Sequence, residues 1–168
     1  MKSIIWEEMY YAKKNEEYIV LYISFIKSTK KYIDFATLIF SSLGVASWLS
    51  DKDGSKIIMG ISLVLVAVLQ VIEIIQIKFI ASDEYIDDIR DLKSKWSMYF
   101  NDLEDILIDI KVNKVDDKTS ASSFQKLKPL KQEIEHIDSD IKIWNRKKLN
   151  TKADLLTNNF MKRYHEQK

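Results

Sequence analysis

The chain has 168 residues, a formal net charge of +1 and no cysteine. That length allows one domain, or a small domain with a membrane segment; the near-neutral charge gives no bias toward nucleic acid, and the missing thiols exclude disulfides and cysteine catalysis. Only three Gly and one Pro interrupt a sequence rich in Lys, Glu, Ile and Leu, which predicts an all-α fold.

The first predicted element is an N-terminal amphipathic helix over 1–31. Its six Lys and four Glu leave no apolar stretch of the signal-peptide kind. Ile5, Met9, Ile19, Ile23 and Ile26 fall on or near one face. The segment either lies along a membrane surface or packs on helices further along. Trp6, Tyr10, Tyr11 and Tyr18 suit an interface and a core equally.

Residues 32–81 read as a two-span transmembrane hairpin. The blocks Tyr32–Leu49 and Ile57–Ile77 extend roughly 27 and 31 Å at 1.5 Å per residue, against a bilayer core of ~30 Å. The polar SDKDGSK turn, Ser50–Lys56, joins them and leaves no room for a domain. From Ile57 to Leu69 only Ser62 interrupts the apolar run, whereas a surface helix would show a polar face. Lys27, Lys30, Lys31, Lys78, Arg90, Lys93 and Lys95 outnumber Lys52 and Lys56 of the turn, so both termini are expected in the cytoplasm, with Trp48 at the outer interface.

Each predicted span carries one weakly polar face. Asp34, Thr37, Ser41 and Gly44 follow one another at spacings of 3, 4 and 3 on the first; Ser62, Val66, Gln70 and Glu73 share a face on the second. Such faces serve close helix packing or, in an oligomer, the lining of a narrow pore. Glu73 and Asp34 are either interfacial acids neutralised by Lys30, Lys31 and Lys78, or acids facing a bundle interior or wet cavity.

Residues 82–168 are expected to be a cytoplasmic helical region. Tyr85, Ile89, Leu92, Trp96, Tyr99, Leu103, Ile106 and Ile110 alternate at spacings of 4 and 3, the seam of a coiled coil. With no Gly or Pro between, a single helix from Ile57 to about Val112 is predicted. A polar breaker, Val112–Phe124, follows. Pro129 then suits the first turn of a helix whose seam is Leu127, Leu130, Ile134, Ile137, Ile141 and Trp144. The two seams predict an antiparallel, coiled-coil-like hairpin. Nine acids against three bases over 83–110, and eleven bases against six acids over 111–152, would draw them together. A last helix is predicted to open at Thr151 with Asp154 in a capping-box arrangement, its stripe being Ala153, Leu156, Phe160 and Tyr164.

No catalytic constellation emerges. No Gly-rich loop cradles phosphate. His136 and His165 stand far apart in charged sequence, which predicts neither a metal site nor a cofactor. The chain is therefore read as a non-enzyme. One basic cluster, Arg146, Lys147, Lys148 and Lys152, is a candidate contact for an anion, either a phosphorylated ligand or anionic lipid headgroups, or the counterpart of the acidic helix over 83–110.

In its layout, with YIDFATLIFSSLGVASWL, the SDKDGSK turn and the run IEIIQIKFIASDEYIDDIRDL, the chain resembles the SLATT family of bacterial two-transmembrane effectors. The resemblance implies a multi-pass protein of the bacterial inner membrane that oligomerises and permeabilises the bilayer in antiviral defence. It also implies a trigger, either a sensor protein or a nucleotide ligand. The runner-up is a membrane-anchored adaptor or immunity-type binding protein with no pore activity.

Overall fold

A computed structural model describes residues 1–48, 53–79, 82–112, 115–141 and 143–167. Within these ranges, the side chains of 47–48, 53–55, 73, 75–79, 83 and 165–167 lie outside the description. The protein is all-α, and the described residues contain no strand.

With no Gly before position 44 and no Pro, nothing in the first stretch ends a helix. The N-terminal helix and the first apolar block, expected as two elements, are one: α1, Lys2–Trp48. Lys13 bridges Glu16 at 2.8 Å and Glu17 at 3.1 Å along its surface, the spacing at which helix side chains meet. Ile5, Met9, Ala12, Ile19, Tyr22, Ile26 and Ile33 are its buried stripe, all at heptad-like spacing.

α2 spans Asp53–Phe79 and α3 Asp83–Val112. The helix expected to run unbroken from Ile57 to Val112 is instead two, and at the start of the second the backbone N–H of Tyr85 donates to Ser82 Oγ at 3.1 Å. Ser82 thus starts α3 by satisfying one of its orphan donors. α4, Asp117–Lys126, occupies what was expected to be a polar loop. Asp116 caps it, accepting from Thr119 N at 3.2 Å. Asp116 is the signal for this helix start, and Ser120, Ser122 and Ser123 lie inside the helix. α5 follows at Lys128–Ile141, with Pro129 in its first turn, where a missing N–H costs nothing.

α6 runs Lys147–Gln167, a turn earlier than the predicted start at Thr151. Thr151 lies inside it and its hydroxyl donates to Lys147 O at 3.0 Å. The local hydroxyl-to-carbonyl bond of a helical Thr has replaced the capping bond.

The chain divides into two compact units, one of 1–23 with 86–168, the other of 24–85. In the first, the N-terminal part of α1 packs among α3, α5 and α6. Trp96, Tyr99, Leu92, Leu103 and Ile89 of α3 are buried with Ile5 and Met9 of α1, Ile134 of α5 and Ala153 of α6. Tyr11 meets Trp96 edge-on at 5.4 Å, and Phe100 meets Phe160 at 5.7 Å. α3 therefore buries Phe100 and Leu107 beyond the predicted seam, because it has several partners where a coiled-coil strand has one. The expected charge pattern between α3 and α5 also fails locally: Lys95 of α3 pairs with Glu133 of α5 at 2.8 Å, the reverse of the predicted sense. Trp144, expected in the seam, is 59% exposed, since α5 ends before reaching it.

The second unit pairs the C-terminal part of α1 with α2. A Cβ added at Gly44 would stand 3.6 Å from Cβ of Ser62, so the two helices touch at this level. No helix among the described residues is long and apolar enough to cross a membrane.

Candidate functional site

In the second unit, Ser41 and Gly44 of α1 and Ser62 and Val66 of α2 come together around a cavity of about 330 Å³, which Phe40 and Met59 also line. Ser62 is buried at 4% exposure. The Thr37 hydroxyl oxygen is buried without a hydrogen-bond partner. Asp34 and Gln70 are exposed, and the Glu73 side chain lies outside the described residues. Thus the structure gathers the small residues of the two predicted faces and leaves Asp34 and Gln70 at the surface.

Around that cavity the outer surfaces of both helices are apolar and open. Tyr32, Phe35, Leu38 and Val45 of α1 are exposed by 60% or more; Ile57, Leu63, Val64 and Ile74 of α2 range from 59% to 68%. Apolar surface this extensive marks an interaction site in a protein that folds in water. On α2 it surrounds the helix, a pattern that requires burial on all sides.

The first unit carries the polar chemistry. Glu8 of α1 accepts from Lys131 Nζ at 2.8 and 2.9 Å and from Tyr99 Oη at 3.1 Å. Burial, with the Glu8 charge adding to it, pushes the Tyr99 phenol far above the ordinary range. Asp154 of α6 holds Lys14 at 2.8 Å and accepts from Tyr10 at 3.3 Å. Tyr164 donates to Glu104 at 2.6 Å. These bonds tie α1 to every long helix of the unit, and they answer the open question about Trp6, Tyr10, Tyr11 and Tyr18: their rings or hydroxyls contact other helices and the loop before α6.

A polar cavity of about 170 Å³ opens beside Tyr18, lined by Asn15, Trp96, Asp138, Asn145 and Asn150 among others. Burial holds the Asp138 carboxyl above its usual range. The Tyr18 hydroxyl donates to Trp144 O at 2.6 Å and accepts from Arg146 N at 2.9 Å, pinning the 143–146 segment. Sequence reasoning missed this cavity because its walls come from four separate stretches. Tyr18 carried the only signal, as a hydroxyl-bearing ring beside the apolar stripe. The four cations of the basic cluster are exposed, at and just after this segment. Among the described residues no group of three or more His, Asp or Glu is placed to hold a metal ion.

No family model matches the chain, and neither a curated protein nor a solved structure is significantly similar to it.

Proposed function

We propose that residues 32–81 form a two-span hairpin in a bacterial inner membrane, and that the chain is an oligomeric effector which permeabilises or depolarises that membrane when triggered. The observation that carries this reading is the open apolar surface on both sides of the α1–α2 contact, which water would penalise by ~25 cal/mol per Å² and a bilayer would cover. The positive-inside bias and the resemblance to SLATT-type effectors support it. In this reading both termini are cytoplasmic, and Thr37, Ser41 and Ser62 pack or line the α1–α2 seam while Gln70 and Glu73 lie toward the cytoplasmic mouth. One hairpin cannot enclose a pore, so conduction requires several copies.

Expression in a bacterial host should admit an otherwise excluded dye and depolarise the cell once the trigger is present. Gln70→Leu and Glu73→Ala should reduce that leak without reducing membrane insertion. Leak unchanged in both variants would remove the polar face from conduction. The adaptor reading draws on the separately packed helical unit with its own polar cavity. It predicts no leak, and partner binding that survives exchange of residues 32–81 for an unrelated hairpin. Recovery of the intact chain in the soluble fraction without detergent would end both readings.

A further inference from the structure

The start of α6 places its charges against the helix field. Lys147 and Lys148 occupy the first turn, where the partial positive charge of the N-terminus disfavours cations. Several lysines of the same unit are paired, Lys13 with Glu16, Lys14 with Asp154, Lys95 with Glu133 and Lys131 with Glu8. Lys147, Lys148 and Lys152 form no ion pair among the described residues. On the same face, at spacings of 4 and 3, Lys148 and Lys152 are followed by Leu155, which is 60% exposed, and Trp144 precedes them at 59%. An exposed indole and an exposed leucine thus flank a row of cations, on a segment that Tyr18 holds in place.

We propose that Trp144 and the start of α6, with Lys148, Lys152 and Leu155 on one face and Lys147 beside it, dock on an anionic lipid surface. Indole and leucine at headgroup depth remove apolar area from water, and the lysines meet phosphate charge that also offsets their clash with the helix end. A purely acidic protein surface would satisfy the lysines but leave Trp144 and Leu155 uncovered. The inference rests on the reading that the protein works at a membrane, yet it concerns a face outside residues 24–85 and can fail separately.

The chain has no cysteine, so a single Thr151→Cys or Val64→Cys substitution accepts one environment-sensitive dye. Both labelled full-length proteins are reconstituted into vesicles of phosphatidylcholine alone and of phosphatidylcholine with phosphatidylglycerol. The dye at 151 should report lipid contact only in the anionic vesicles. The ratio of engaged to free dye should drop roughly fivefold for each lysine among 147, 148 and 152 changed to Gln, and it should fall with salt. Trp144→Ala should lower it as well. The dye at 64 should report lipid in both vesicle types. If the dye at 64 is in lipid while that at 151 stays in water, or responds equally in both vesicles, the docking face is overturned and insertion stands. If the dye at 151 engages while that at 64 remains in water, the insertion reading fails and the docking face stands.

Discussion

Single residues in the first unit carry distinct, separable costs. The Thr157 hydroxyl is fully buried with no hydrogen-bond partner. Thr157→Val should therefore stabilise the unit by about 1 kcal/mol, read as a higher thermal midpoint. Tyr99 gives a pH signature. Its phenol titrates higher in the folded chain than the ordinary value of 10.0, so the folded state keeps a proton that the unfolded chain loses. Stability is therefore full below pH 10 and declines as pH rises beyond it. Tyr99→Phe should flatten that alkaline decline in denaturant titrations at several pH values. At Gly44 the space for a Cβ is ordinary contact distance, and helical Gly is poorer than Ala by roughly 1 kcal/mol. Gly44→Ala should accordingly be neutral or stabilising, while a larger side chain would press on Ser62.

At the scale of elements, caps decide what periodicity leaves open. Ser82 and Asp116 each accept a backbone N–H three residues ahead, and each starts a helix where the apolar pattern signals either continuation or a loop. The Thr119 side chain, together with its backbone N–H, also holds the Asp116 carboxyl below its usual range. A depressed carboxylate stabilises above its unfolded value and ceases to do so as pH falls. Asp116→Ala should speed amide hydrogen exchange over 117–120, and acid should produce the same change in the parent chain. The first turn of α6 predicts the opposite trade: Lys147→Gln with Lys148→Gln should raise thermal stability slightly while weakening contact with anionic lipid.

For the whole molecule, the distribution of contacts along the chain matters most. The first unit needs residues 1–23 to complete its core, since Ile5, Met9 and Ala12 are fully buried there. A fragment of residues 86–168 should lack a cooperative thermal transition, and adding a peptide of residues 1–23 should restore one. The heptad of α3 is legible because burial repeats faithfully along it: Ile89, Leu92, Trp96, Tyr99 and Leu103 all lie at 1% exposure or less. The partner of that seam is not legible. α1 carries an equally periodic stripe, and periodicity names a face without naming what covers it.

By itself, the sequence determined that this protein is helical, that its apolar residues concentrate between 32 and 81, and which faces of its helices are small or greasy. Those properties are local: they depend on breakers, propensities and spacing within a few turns. Only the tertiary structure decided that α1 joins the C-terminal helices, that Trp144 faces outward, and that Tyr18, Asn15, Trp96 and Asp138 share a cavity. Each of these depends on contacts between distant segments, where several pairings of similar stripes compete and the choice is made by packing and by buried polar bonds such as Glu8 to Lys131 and Tyr99.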